Sequence, residues 1–173
     1  VNHPHESTII SERKGILMAE KTNVMRILDK HKISYVSHSY AQTDAISGVE
    51  VASVLGENPA QVFKTLVTVG KSGGHYVFMI PVAEELDLKK AAACVGEKAV
   101  EMVKSKELLP LTGYIHGGCS PIGMKKSFPT FIHQTASDFE TILFSAGKIG
   151  WQVEMPPESL QAVQPVKTAD LTV

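Results

Sequence analysis

A glycine-rich loop is the part of this sequence best suited to bind a ligand through its backbone. It runs from Thr112 to Lys126 and reads TGYIHGGCSPIGMKK, with Gly117 and Gly118 adjacent. Adjacent glycines let the backbone adopt positive φ or approach a ligand closely, because no Cβ stands in the way. Backbone N–H groups near lysines are suited to hold a carbonyl oxygen or a phosphate. A GG pair alone is more often a tight turn, but three glycines and a proline within seven residues favour a ligand-binding loop.

A lysine in the middle of an apolar strand pattern is the second feature that could carry chemistry. Lys64 lies in the segment QVFKTLVTV, between Phe63 and Leu66. If its ammonium points inward, it loses hydration free energy unless an anion meets it. If it points outward, it is an ordinary solvated residue. Periodicity alone leaves both orientations open.

The composition restricts the class of protein. The chain has 173 residues, 43% hydrophobic and 20% charged, which is typical of a globular domain with one core. Its 17 basic and 18 acidic residues give a net charge of −1, so any contact with nucleic acid must use a local patch. The two cysteines, Cys94 and Cys119, do not make a disulfide framework. Because the cysteines occur without a secretory signal pattern, we expect a cytoplasmic protein, and no apolar run is long enough to span a bilayer. Without CxxC or HExxH spacing we expect no metal and no other cofactor.

The apolar periodicity predicts short helices interleaved with short strands. Residues 1–17 have no period and are predicted to be a disordered or non-native extension, followed by one domain over residues 18–173. Helices are predicted from residue 22, over residues 47–56 with an S-x-x-E capping box formed by Ser47 and Glu50, over residues 88–95 with an end at Gly96, as a turn over 105–109 stopped by Pro110, and from residue 156. Strands are predicted over residues 33–38, 61–69, 75–82, 99–103, 130–134, 141–145 and 150–153, with the second and third joined as a hairpin by a turn at residues 73–74. This alternation indicates an α+β domain with a mixed, barrel-like sheet and flanking short helices.

Five segments, in this order, resemble a known family. They are VMRILDKHKISYVSHSY at residues 24–40, FKTLV at 63–67, LDLKKAA at 86–92, TGYIHGGCSPIG at 112–123 and TASDFETILFSAGKIG at 135–150. Together they resemble the YbaK/EbsC family, the Cys-tRNA(Pro) deacylases related to the editing domain inserted in bacterial prolyl-tRNA synthetases. The resemblance implies that fold and the hydrolysis of the ester that joins cysteine to tRNA(Pro), without a cofactor. It also implies aminoacyl-tRNA as partner, of tRNA(Pro) and tRNA(Cys), and contact with prolyl-tRNA synthetase.

The resemblance also implies roles for individual residues. Lys64 matches the family's essential strand lysine, which positions the terminal adenosine and its phosphate, and Gly117 and Gly118 match the loop that meets the aminoacyl group. The other expected substrate-binding residues are Tyr40, Phe63, Thr65, Cys119, Ser120, Pro121, Asp138 and Ser145. Two positions depart from the family's usual pattern: Cys119 replaces a frequent isoleucine or valine, and Ile149 replaces a frequent arginine. The first departure is expected to change the polarity of the pocket, and the second to weaken contact with tRNA.

The sequence contains no recognisable Ser-His-Asp or Cys-His arrangement. The resemblance implies instead that the thiol of the substrate attacks its own carbonyl, while the protein positions the ester and stabilises the oxyanion. Three alternatives remain open at this point. The protein could deacylate alanyl-tRNA(Pro) or a broader set of aminoacyl-tRNAs with a bound water, it could be a catalytically weak adaptor for tRNA or a synthetase, or it could use Cys119 as a nucleophile.

Overall fold

A computed structural model describes residues 21–173, which form one α+β domain. Its helices are α1 (Asn23–Lys30), α2 (Gly48–Leu55), α3 (Leu88–Val95) and α4 (Ser105–Thr112), with 3-10 helices at Gln134–Asp138 and Pro157–Ala162. Its strands are β1 (Val36–Ser39), β2 (Phe63–Gly70), β3 (His75–Pro81), β4 (Val100–Met102), β5 (Thr130–His133), β6 (Ile142–Ser145), β7 (Trp151–Met155) and β8 (Val166–Ala169). The extension predicted at residues 1–17 lies outside the described residues. Between residues 21 and 173, no helix is long and apolar enough to cross a membrane.

The strands form two sheets that are joined by a backbone bridge. The smaller sheet has the antiparallel order β1-β7-β6, and the larger has the order β4-β2-β3-β5-β8 with parallel β3–β5 and β5–β8 pairs. A parallel bridge between Val62 and Leu143 joins the start of β2 to β6. The predicted mixed sheet is confirmed. The predicted barrel-like closure is wrong, because the edge strands β1, β4 and β8 pair on one side only and β4 has just three residues.

Local signals set the ends of α2 and α3 as predicted. Ser47 Oγ accepts from the N–H of Glu50 at 3.2 Å, and Glu50 Oε1 accepts from the N–H of Ser47 at 3.4 Å, which is a complete capping box. Helix α2 ends at Gly56 with φ +66°, a left-handed conformation that favours glycine. Helix α3 is capped by the Asp87 carboxylate and ends at Gly96 in the same way.

The prediction for α4 was wrong at its end. The helix continues through Pro110 to Thr112 and ends at Gly113, whose φ is +85°. Proline lacks the N–H that would bond to the carbonyl of Lys106, and this loss usually ends a helix. Here Pro110 is exposed, so water can solvate a carbonyl that the helix leaves free.

Strand β8 was not predicted, and the last helix is a 3-10 helix. The burial of β8 does not alternate, because Lys167 and Thr168 are both exposed. Such a segment has no period-2 signal. It becomes a strand through parallel pairing with β5, which is a contact distant in sequence.

Two cores lie on opposite faces of the larger sheet, and strand alternation assigns side chains to them. In β3, Val77 and Met79 face the main core between the sheets, whereas Phe78 and Ile80 face a second core under α3. In β2, Phe63 and Val67 belong to the main core, and Leu66 packs against the second core. Lys64 shares the strand face of Leu66 and lies opposite Ile80 in the β2–β3 register.

Candidate active site

A cavity of about 500 Å³ lies between the first turn of α2, the start of β2 and the glycine-rich loop. Seven of the residues expected to bind substrate line it: Tyr40, Phe63, Lys64, Thr65, Gly117, Cys119 and Ser145. Four others are not among its lining residues: Gly118, Ser120, Pro121 and Asp138. The fold therefore brings together a strand lysine, a glycine and a helix N-terminus that are far apart in sequence.

Lys64 lies in this cavity as a partly buried cation. Burial lowers the pKa of its ammonium below the usual range, and the nearby Glu85 carboxylate acts in the opposite direction. Within the part of the chain that the structure describes, Lys64 forms no ion pair and no side-chain hydrogen bond. A partly desolvated ammonium without a partner is suited to bind an anion such as a phosphate.

Gly117 brings the backbone of the loop to the cavity. Its φ is +87°, a conformation that residues with a Cβ rarely adopt. A Cβ at this position would lie 3.6 Å from side-chain atoms of Ile46 and Ile149, which is an ordinary van der Waals contact, so the positive φ and not a steric clash is the reason for glycine. Among residues 21–173 no acceptor takes the backbone N–H of Gly117 or of Cys119. These two N–H groups, on two residues that line the cavity, are therefore not used by the described part of the protein.

Gly118 has a different reason to be glycine. Its N–H donates to the carbonyl of Ile115 at 3.0 Å, so this group is used inside the loop. A Cβ on Gly118 would lie 3.1 Å from the backbone nitrogen of Ile149 and 3.4 Å from the carbonyl carbon of Lys148. Gly118 therefore lets the loop pack against the backbone of the β6–β7 turn.

The rest of the loop is a rigid scaffold. Ser120 is fully buried, and its Oγ accepts from the N–H of Ile122 at 3.3 Å. The hydroxyl of Tyr114 donates to the carbonyl of Ile122, and burial raises the pKa of this tyrosine to about 12. The N–H of Lys125 donates to the carbonyl of Thr112 at 3.0 Å, and Pro121 is buried. These contacts hold the backbone of Gly117 in place.

Cys119 lines the cavity with a neutral thiol. Its residue is 8% exposed, and burial raises the pKa of the thiol to about 12. No hydrogen bond joins Cys119 to His116 or to any other base of the described residues. Because the thiolate is the reactive form of cysteine, this environment disfavours Cys119 as a nucleophile.

Ser145 and Asp138 differ in their relation to the cavity. Ser145 ends β6 at the cavity wall, and its Oγ accepts from the N–H of Gly147 at 3.1 Å. This bond stabilises the tight β6–β7 turn, in which Gly147 has φ +86°. Asp138 is exposed at the end of a 3-10 helix.

Several lining residues were not foreseen from the sequence. They are residues 46–51 at the start of α2 (its cap and first turn with the preceding Ile46), His116, Gln152, and the apolar Val62, Leu66, Val82, Leu108 and Phe144. The capping box predicted where α2 begins, but not that this end of the helix faces the cavity. Since a helix N-terminus carries a partial positive charge, it adds to the charge of Lys64. Among the described residues, no group of three His, Cys, Asp or Glu side chains could hold a metal ion.

Comparison with known proteins relates this site to a family. The aminoacyl-tRNA editing domain matches residues 42–163, which include the whole cavity apart from Tyr40. The chain belongs to this family. The editing domain here is also 46% identical over 154 residues to the proposed Cys-tRNA(Pro)/Cys-tRNA(Cys) deacylase EbsC of Enterococcus faecalis (strain ATCC 700802 / V583), and this match covers 88% of the chain and 94% of that protein.

Solved structures share the fold of this editing domain. One is described as a proposed trans-editing enzyme for prolyl-tRNA synthetase, with a TM-score of 0.76, 25% identity and coverage of 88% of this chain and 98% of that one. Another is the hypothetical protein APE2540, with a TM-score of 0.80, 20% identity and coverage of 88% and 100%. The second likeness establishes the fold alone.

Proposed function

We propose that this editing domain is a freestanding deacylase that hydrolyses the ester of mischarged Cys-tRNA(Pro). The family and the 46% identity to the EbsC protein support this activity. One observation carries the proposal: the unpaired ammonium of Lys64 and the free N–H of Gly117 belong to the same cavity. An aminoacylated tRNA end carries a phosphate for the first group and an ester carbonyl for the second.

The phosphate side of the substrate is assigned to Lys64 and the first turn of α2. A compact ammonium and the partial charge of a helix N-terminus both favour an anion. Lys64 is not neutralised by a carboxylate of the described residues, so its charge is available to the substrate. This contact fixes the terminal adenosine and orients the ester bond toward the loop.

The carbonyl side is assigned to the backbone N–H groups of Gly117 and Cys119. Two fixed donors next to a developing oxyanion stabilise the transition state of acyl transfer, and losing one such donor costs about 10²–10³ in rate. The Gly118 N–H is not assigned to this role, because it donates to the carbonyl of Ile115. The rigid loop scaffold keeps the two donors in position before substrate arrives.

The nucleophile is assigned to the substrate itself. The cysteinyl sulfur attacks the ester carbonyl, the bond from this carbon to the ribose oxygen breaks, and the thiol proton passes to this ribose oxygen, which leaves as the hydroxyl of the tRNA end. Water then opens the resulting four-membered thiolactone to free cysteine. A protein nucleophile is not needed, which agrees with the raised pKa of the buried Cys119 thiol.

Prolyl-tRNA synthetase is the proposed partner that delivers the mischarged tRNA. The net charge of −1 argues against strong binding of tRNA by this protein alone. A solved relative is described as a proposed trans-editing enzyme for this synthetase. We place this reaction in the cytoplasm, where translation supplies the substrate.

Deacylation of a panel of charged tRNAs tests the function. Cys-, Ala-, Ser- and Pro-charged tRNA(Pro) and Cys-tRNA(Cys) are incubated with the protein, with and without prolyl-tRNA synthetase. We expect Cys-tRNA(Pro) to be hydrolysed fastest, and Ala-tRNA(Pro) slowly because it has no thiol. Equal rates for the cysteinyl and alanyl esters would favour attack by water, and binding without turnover would favour an adaptor.

A further inference from the structure

A buried glutamine in the cavity wall has a polar partner that lies behind the wall. Gln152 belongs to β7, is 4% exposed and lines the cavity. Its register partner across β6–β7 is Ser145, which also lines the cavity. Gln152 has no place in the proposed binding of the phosphate or the carbonyl.

The amide of Gln152 has one orientation that satisfies its surroundings. In this orientation Nε2 lies 2.9 Å from Oε2 and 3.1 Å from Oε1 of Glu57, so the amide nitrogen donates to the carboxylate. Glu57 follows α2, and its own N–H donates to the carbonyl of Ala52 at 2.8 Å, which fixes its backbone. Glu57 is not among the residues that line the cavity. The nitrogen end of the amide is therefore bound to a group outside the cavity lining, and among the described residues no hydrogen bond to the side-chain carbonyl oxygen of Gln152 is found, so this oxygen can accept from a ligand.

Glu57 and Gln152 lie among other charged groups, which affect the Glu57 carboxyl in opposite directions. Burial raises the pKa of the Glu57 carboxyl, and the neighbouring Glu154 acts in the same direction, whereas His38 and the bond from Gln152 act in the opposite direction. His38 is itself bound to Glu154, with Nε2 2.7 Å from Oε1. The amide of Gln152 thus lies between the cavity and a carboxylate, and this carboxylate polarises the carbonyl oxygen toward a positive donor.

We propose that the Gln152 carbonyl oxygen accepts a hydrogen bond from the α-ammonium of the aminoacyl group, and that Glu57 is the positioning residue that sets its direction. This inference rests on the proposed function, because it concerns the same substrate. Lys64 also lines the cavity, and its positive charge suits the phosphate and repels an ammonium. Glu50 also lines the cavity, but its Oε1 accepts from the N–H of Ser47. The Gln152 amide is neutral, and its carbonyl oxygen is polarised by the hydrogen bond from its nitrogen to Glu57. It can therefore bind the ammonium without forming an ion pair with Lys64.

The test compares two substrates that differ only in the ammonium. Cys-tRNA(Pro) and the 3-mercaptopropionyl ester of the same tRNA, prepared by ribozyme-catalysed acylation, both carry the thiol and the ester. The variant Gln152→Met keeps the length of the side chain and removes its hydrogen bonds. We expect it to lower kcat/KM for the cysteinyl ester roughly 10–100-fold, the range for one hydrogen bond to a charged group, and to leave the desamino ester nearly unchanged. Intrinsic differences in ester reactivity cancel, because each substrate is compared between enzymes.

Glu57→Gln provides a second variant at a site outside the cavity. It keeps the Gln152 amide but removes the charge that orients it, so we expect the same selective loss on the cysteinyl ester with a smaller size. The double variant should lose no more than Gln152→Met alone, since both changes act on one contact. Thermal melting of all variants checks that they are folded, and Glu57→Gln keeps the test decisive if Gln152→Met is unstable.

The outcomes separate this inference from the function on which it rests. If wild type hydrolyses neither ester, the proposed function itself fails. If wild type hydrolyses both and the two variants lower both rates equally, or additively in the double variant, the function stands and the ammonium contact is overturned. A selective loss for the ester that carries the ammonium supports the contact.

Discussion

Replacing Lys64 by methionine is the most direct test of the site. The change keeps an unbranched side chain of similar length on β2, so the alternation that buries Phe63 and Val67 is preserved. It removes the positive charge that we assign to the phosphate of the tRNA end. Lys64→Arg keeps the charge but replaces a compact ammonium by a larger, planar guanidinium, and we expect the deacylation rate of this variant to be lowered too.

Lys64→Met should reduce activity strongly and change the free energy of unfolding only slightly. For activity, losing one fixed electrostatic contact in a cavity costs about 10²–10³ in rate. For stability, breaking a buried ion pair would cost about 3–5 kcal/mol, but no carboxylate of residues 21–173 pairs with Lys64. We therefore expect the free energy of unfolding of Lys64→Met to change by less than about 1 kcal/mol, in the stabilising direction, because a partly desolvated charge is removed.

The lowered pKa of Lys64 makes the size of this stability difference depend on pH. Between the lowered pKa and the ordinary value of 10.5, the unfolded chain binds more protons at Lys64 than the folded chain. The stability contribution of Lys64 in wild type therefore rises as pH increases through this window. Methionine does not titrate, so the variant lacks this pH-dependent contribution. The advantage of Lys64→Met over wild type should be largest at neutral pH and should shrink toward pH 10.5.

Single-turnover deacylation of Cys-tRNA(Pro) and urea unfolding at neutral and alkaline pH measure both effects. Lys71→Met is the matched control, because Lys71 is exposed in the turn that follows β2 and does not line the cavity. This control should keep the activity of wild type. Near-normal turnover of Lys64→Met, or a loss of several kcal/mol in its stability, would refute the assigned role of Lys64.

The remaining predictions concern the loop and α4. Cys119→Ala should keep deacylation within about tenfold of wild type, because a thiol with a pKa of about 12 is almost entirely protonated; a trapped acyl-Cys119 adduct would contradict this. At pH 8 the thiolate fraction of Cys119 is about 10⁻⁴, so alkylation by iodoacetamide followed by mass spectrometry should be very slow in the folded protein. Gly118→Ala should lower the free energy of unfolding by about 1–3 kcal/mol, because its Cβ meets backbone atoms of the β6–β7 turn, and an unchanged melting temperature would refute this packing. Pro110→Ala should raise the free energy of unfolding by about 1–3 kcal/mol, since alanine restores a helical N–H at an exposed position, and a lower melting temperature would show that proline stabilises α4.

The sequence by itself determined the features that depend on neighbouring residues. The capping box of Ser47 and Glu50, the left-handed glycine after α3 and the β2–β3 hairpin all appear where predicted. Each depends on hydrogen bonds or backbone conformations within a few residues, so the local pattern contains the information. The order of the five motifs likewise indicated the family that the comparisons confirm.

Only the tertiary structure decided which groups meet in the cavity. The direction of Lys64 was left open by periodicity, because a strand has two faces and both carry apolar residues here. The sequence pattern gave the two adjacent glycines the same role. In the structure the N–H of Gly118 donates to the carbonyl of Ile115 and Gly118 packs against the β6–β7 turn, so of these two glycines only Gly117 lines the cavity. No sequence pattern identified Gln152 as a site residue, because its partner Glu57 lies on a distant segment of the chain. Contacts between distant segments depend on how the two sheets and α2 pack, and a local sequence pattern does not record this packing.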